Sequence, residues 1–157
     1  MKNITRVTLV LLGIVLLQVA SGRATKSMIG EPLPPLSVTY LREKPDLTGK
    51  PLILEFWATW CPPCRASIPH LNEIYKKYKD RGLMIVGVSD EPKSKVEAFL
   101  KTTPMDYSPA LDAGKKLNKE FGINAIPHAV LVNKEGKVVW EGHPMQLKDA
   151  DIEAVLK

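Results

Sequence analysis

Two residues separate the only two cysteines of the chain, in the run Trp60-Cys61-Pro62-Pro63-Cys64. Sulfurs at this spacing can act as a dithiol or close a disulfide with each other. An apolar run, Pro51 to Trp57, leads into the pair, and a helix-patterned stretch, Pro62 to Tyr78, leads out of it. The cysteines therefore fall where a buried strand turns into a helix. A helix N-terminus presents unpaired N–H groups and a partial positive charge. Both favour the thiolate, which is the reactive form of cysteine. The chemistry expected here is reversible dithiol–disulfide exchange. A purely structural bridge is the weaker alternative, because so small a loop constrains the unfolded chain little.

Two further residue types draw attention. Glu55 is the one charge in the run Leu52 to Trp57. Burying a lone carboxylate is unfavourable and raises its pKa, and such perturbed acids cluster at working sites. Its alternative is a place at the end of the strand, paired with a lysine. His128, just after Ile126-Pro127, is a candidate for lowering a thiol pKa or for ligating a metal with the two sulfurs. His70 and His143 read as surface residues.

These residues need elements to hold them. Leu52 to Trp57 is apolar on both faces except at Glu55, the pattern of a central strand covered on both sides. A helix is predicted from Pro62 to about Asp80, with Ile68, Leu71, Ile74, Tyr75 and Tyr78 as its apolar stripe and Gly82 ending it. Pro62 and Pro63 suit its first turn, and Pro69 lies inside it. Leu83 to Val88 reads as a second buried strand, and Lys93 to Thr102 as a helix. Tyr107 to Leu111 reads as a short strand and Ala113 to Phe121 as a helix. His128 to Val132 and Lys137 to Glu141 form a hairpin across Lys134-Glu135-Gly136. Leu147 to Lys157 closes the chain as an amphipathic helix. Ahead of all this, Ser27 to Asp46 is proline-rich, with one short strand candidate at Ser37 to Leu41. Strands joined through helices pair in parallel, and the late hairpin is antiparallel. The fold class is α/β.

The chain has 157 residues, 45% of them hydrophobic and 25% charged, which suits one globular domain. Its formal charge of +5 is unevenly placed. Lys2, Arg6 and Arg23 are the only charges in residues 1–24, and the remainder is close to neutral. No Lys/Arg run with interleaved aromatics appears, so nucleic acid is not an expected partner. Lys2 and Arg6 precede an apolar run from Val7 to Ala20, and the small residues Ser21, Gly22 and Ala24 follow. This is the pattern of a secretory signal, cleaved after Gly22 or Ala24. An uncleaved membrane anchor is the alternative, although the run is shorter than the roughly 20 residues a spanning helix needs. Residues 25–157 are then the domain, in a compartment that permits disulfides.

The Trp60-to-Cys64 core after Glu55-Phe56-Trp57-Ala58, Pro69 within the helix, and Ile126-Pro127 before a terminal hairpin resemble the thioredoxin superfamily. The signal-like segment, the lead-in and the long middle section resemble its secreted TlpA/ResA-like branch. The resemblance covers roughly residues 29–157, the length of one domain. It implies a thioredoxin-like three-layer α/β/α sandwich with a mixed sheet, a C-terminal β-hairpin and a final helix. It implies a protein-disulfide oxidoreductase in which Cys61 is the nucleophile and Cys64 the resolving thiol. It assigns Glu55 the place of a buried acid that exchanges a proton with the second cysteine. It makes Pro127 a cis-proline facing the disulfide, with Ile126 offering backbone groups to an extended substrate. Trp57 and Trp60 pack around the site, and Trp60 and His128 border the substrate. His128 departs from the usual Thr, and Ser67 stands where many secreted relatives carry Glu. The expected partners are protein thiols or disulfides and an upstream membrane or periplasmic electron donor. No metal or cofactor is expected. A copper chaperone using Cys61, Cys64 and His128 is the alternative. A thiol peroxidase would need Pro and Thr where Leu54 and Ala58 stand.

Overall fold

The computed structural model describes residues 27–157. The expected signal or anchor segment, residues 1–24, lies outside the described residues. Six strands form one mixed sheet: β1 Thr39–Tyr40, β2 Leu52–Phe56, β3 Met84–Ser89, β4 Ser108–Leu111, β5 His128–Val132 and β6 Val138–Gly142. Four helices accompany them: α1 Pro62–Tyr78, α2 Lys93–Leu100, α3 Lys116–Glu120 and α4 Asp149–Leu156. The strand order is β1-β4-β3-β2-β5-β6. β2 pairs in parallel with β3, and β3 with β4, because α1 and α2 carry the chain back across the sheet. β5 pairs antiparallel with both β2 and β6. The central strand is thus the one that ends at the cysteines.

Side-chain alternation divides the core in two. Ile53, Trp57, Ile85, Ala129 and Leu131 pack with the α1 residues Ile68, Leu71, Ile74 and Tyr78, with Val96 of α2, and with Ile152 and Val155 of α4. Leu52, Leu54, Phe56, Val86, Val88, Val130 and Val132 face the other way, onto Leu117 and Phe121 around α3. The proline-rich lead-in covers this second side with Met28, Leu33, Leu36, Val38 and Tyr40. It is tied to the hairpin by Gly30 N–H to Val138 O, 2.8 Å, and Leu33 N–H to Gly136 O, 2.8 Å. The three layers expected from the sequence are present.

Two predicted elements come out shorter. The helix expected from Ala113 is confined to Lys116–Glu120. Gly114 and Lys115 both take left-handed φ, +80° and +58°, and no right-handed helix passes through two such residues. The Asp112 carboxylate starts the helix instead, accepting the N–H groups of Leu117 and Asn118 at 3.1 and 2.9 Å. The first strand shrinks from Ser37–Leu41 to two residues beside β4. His70 is also not a plain surface residue. It flanks the apolar stripe of α1, one position from Leu71, and is half-buried with its Nε2 shielded from solvent and unpartnered.

Candidate active site

β2 ends at Phe56, and the chain turns through Ala58, Thr59 and Trp60 into α1. Cys61 is the N-cap of α1, with extended backbone dihedrals of −94° and 104°, and its Sγ accepts the N–H of Cys64 at 3.2 Å. Pro62 and Pro63 fill the first two helical positions, where the missing N–H groups leave the helix ladder intact. Cys64 supplies the N–H donor that they cannot. The two sulfurs are joined as a disulfide. Cys64 is fully buried, Cys61 only 3% exposed, and Trp60 beside them is 64% exposed. Across the site the Ile126–Pro127 bond is cis, and the Ile126 carbonyl oxygen lies 3.8 Å from Cys61 Sγ. A cleft of about 330 Å³ opens between Trp60 and this loop, floored by Trp57, Val88 and Ile126.

The carboxyl of Glu55 is fully buried and meets Ser67 of α1. It projects to the α1 side of the sheet because it shares the parity of Ile53 and Trp57. Ser67 Oγ lies 2.9 Å from its Oε1, and Tyr107 donates to its Oε2 at 2.8 Å. Ser67 Oγ also lies 2.7 Å from the carbonyl oxygen of Cys64. Burial pushes the Glu55 carboxyl up to about 7 against the two hydroxyl bonds, which favour its charged form. Tyr107 is held well above its usual value by its own burial and then by the Glu55 charge. Gly87 makes room for this arrangement, since a Cβ there would come within 3.0 Å of the Tyr107 ring and 3.2 Å of Trp57 Nε1.

A second acid holds the turn that precedes Cys61. Glu91, after β3, accepts the Thr59 N–H at 2.5 Å and the Thr59 hydroxyl at 2.9 Å. Lys95, one helical turn further on, contacts it at 2.6 Å. Burial alone would raise the Glu91 carboxyl, but Lys95 and both Thr59 donors outweigh it and hold the group below the usual range. Neither Tyr107 nor Glu91 stands out in the sequence. The one available hint is the Glu91–Lys95 spacing of an i,i+4 pair.

The structure does not bring His128 to the sulfurs. It pairs with Phe56 in the ladder and shares the parity of Val130 and Val132, which face away from α1. Burial lowers its pKa, and the opposing charge it feels is that of Glu141. Among the described residues no cluster of three or more His, Cys, Asp or Glu could hold a metal. The copper site drawn from Cys61, Cys64 and His128 is therefore not assembled.

A thioredoxin-like sandwich that sets a Cys-Pro-Pro-Cys disulfide at the start of its central helix defines a thiol–disulfide oxidoreductase. The chain belongs to the AhpC/TSA family, whose model matches residues 30–141. It is 35% identical over 150 residues to the thiol-disulfide oxidoreductase ResA of Bacillus cereus (strain ATCC 10987 / NRS 248), spanning 92% of this chain and 86% of that one. A Chlorobium tepidum structure described as a thiol:disulfide interchange protein DsbE superposes with a TM-score of 0.72 at 29% identity, over 83% of this chain and 99% of the other. A protein disulfide isomerase-like structure from Bacteroides thetaiotaomicron superposes with a TM-score of 0.69 at 30% identity, over 83% and 87%. The protein is an enzyme of thiol–disulfide exchange, as its relatives and its cysteine pair together indicate.

Proposed function

We propose that this is an extracytoplasmic protein-disulfide reductant in which Cys61 attacks and Cys64 resolves. The observation that carries the roles is the asymmetry of the pair. Cys61 takes the N-cap position, accepts an N–H and lies beside the exposed Trp60 and the Ile126 carbonyl. Cys64 is sealed beneath it. In the reduced protein the Cys61 thiolate attacks a substrate disulfide, forming a mixed disulfide and releasing one substrate thiolate. Cys64 then loses its proton to the Glu55 carboxylate, and its sulfur bonds to Cys61. The second substrate thiolate leaves with the electron pair of the broken bond. The cleft bordered by Trp60 receives the residues flanking the substrate cysteine, which pair along Ile126 ahead of Pro127.

The direction of electron flow rests on the prolines. They leave the Cys61 sulfur one first-turn donor, the Cys64 N–H. A thiolate with fewer donors is less stabilised, and its dithiol surrenders electrons more readily. The potential should lie nearer the reducing end of such couples, about −270 mV, than the oxidising end, about −120 mV. Peroxide turnover is not part of this reading, because Leu54 and Ala58 occupy the positions a peroxidase would give to Pro and Thr.

Export rests on Lys2, Arg6 and the apolar run to Ala20. It implies an upstream donor in the membrane or beyond it, with attachment to the membrane if the segment is retained. No helix of the described residues is long and apolar enough to cross a membrane. Fractionation of cells making the tagged full chain reads location and cleavage together. A Cys64→Ser variant tests the roles: it should accumulate mixed disulfides with the natural partner through Cys61. Recovery of such adducts from Cys61→Ser instead would reverse the assignment.

A further inference from the structure

Ser67 touches both the buried acid and the backbone of a redox cysteine. Its Oγ is 2.9 Å from Glu55 Oε1 and 2.7 Å from the Cys64 carbonyl oxygen. A serine hydroxyl carries one proton, so it donates to only one of these oxygens at a time. Tyr107 has no such choice, since its hydroxyl is bonded to Glu55 Oε2 alone at 2.8 Å. Ser67 and Glu55 are fully buried and Tyr107 is 1% exposed, so each proton must be placed among these atoms.

The placement follows from counting protons. An ionised carboxylate only accepts. With Glu55 charged, Tyr107 donates to Oε2 and Ser67 donates to Oε1, and the Cys64 carbonyl is left to its helix bond. With a proton on Oε1, Glu55 becomes a donor to Ser67 Oγ. The Ser67 proton then turns to the Cys64 carbonyl, as a bond from a serine to the carbonyl three residues earlier. One protonation at Oε1 reverses the Glu55–Ser67 bond and adds a bond from Ser67 to the Cys64 carbonyl.

We propose that Ser67 is a positioning residue whose hydroxyl swings from Glu55 to the Cys64 carbonyl when Glu55 takes up a proton. The inference deepens the reading of Glu55 as proton partner of the pair. When the disulfide forms, the Cys64 proton goes to Glu55, and Ser67 closes onto the backbone of the cysteine that has just reacted. When the disulfide is reduced, the proton returns to sulfur, and Ser67 turns back to the carboxylate. The groups bonded to Glu55 are Ser67 from α1 and Tyr107 from the segment entering β4. Asp106 acts on Tyr107, and among the described residues Glu55 forms no ion pair.

The test is a pH titration of the oxidised protein carrying carbon-13 at the Cys64 carbonyl and the Glu55 carboxyl. Both signals should inflect at the same pH. In Ser67→Ala, Glu55 should still titrate, now at higher pH, while the Cys64 inflection disappears; Ser67→Thr should restore it. Glu55→Gln should leave the Cys64 carbonyl flat, and Tyr107→Phe should leave the two signals moving together. A flat Cys64 carbonyl in the unaltered protein while Glu55 titrates overturns the proposal, and that measurement needs no variant to fold. So does an undiminished inflection in Ser67→Ala. Failure of the underlying reading is distinct: Glu55→Gln would then exchange disulfides at the unaltered rate at every pH, whatever the carbonyl does.

Discussion

Two glutamates are buried around the strand-to-helix turn that carries the disulfide, Glu55 fully and Glu91 to 8% exposure, yet their carboxyls are shifted in opposite directions. Glu55 faces two hydroxyls and no cation, and its carboxyl rises to about 7. Glu91 faces an ammonium, a backbone N–H and a hydroxyl, and falls below the usual range. Desolvation is the largest single influence on both. What separates them is the kind of donor supplied against it. A hydroxyl bonds to a carboxylate without cancelling its charge, and an ammonium does both. Glu55 is thereby poised to trade a proton near neutrality, whereas Glu91 stays charged and fixes a turn.

The contrast has measurable consequences, and the largest concerns Glu55. Its folded value, about 7, lies above the ordinary 4.5. Its stabilising contribution is therefore fully present below pH 4.5 and is lost as pH rises through about 7. The loss should amount to about 3 kcal/mol. Denaturant unfolding of the oxidised protein across that window should show it, and Glu55→Gln should flatten the dependence. An unaltered slope in Glu55→Gln would break the contrast. Next is Glu91→Ala, which removes the partner of the half-buried Thr59 N–H and should cost about 2 kcal/mol. Because the Glu91 pKa is lowered, its contribution is present at neutral pH and fades as pH falls through the folded value. Its pH slope should thus oppose that of Glu55. Alkylation of the reduced protein should also report a displaced Cys61 in this variant. The smallest effect is expected for Tyr107→Phe, about 1 kcal/mol. Removing a donor to the charged form should move the Glu55 titration further up, which carboxyl carbon-13 shifts would read. A downward movement would mean that Tyr107 does not favour the carboxylate.

Much of the site could be read from the chain before any tertiary contact was known. The cysteine spacing, the unbroken apolar run of β2 and the proline-opened helix all lie within about 30 residues, and each is a local pattern. Glu55 stood out for the same reason, as a charge in a strand with two apolar faces. The length of α3 was missed because two consecutive left-handed residues carry little compositional signal when one of them is a lysine. His128 shares the β5 parity of Val130 and Val132, which proximity in sequence to Pro127 does not reveal. The ladder register with Phe56 settles that.

The sequence by itself determined the alternation of strands and helices, the place of the disulfide at a strand-to-helix turn, and the chemistry of two exchangeable sulfurs. These follow from hydrophobic period, proline geometry and cysteine spacing, all of them short-range properties. Only the tertiary structure decided which buried acid keeps its proton. Tyr107 comes to Glu55 from 52 positions away, and Glu91 to Thr59 from 32. Electrostatic interactions depend on distance in space and on exclusion of water, and neither is written in the order of residues.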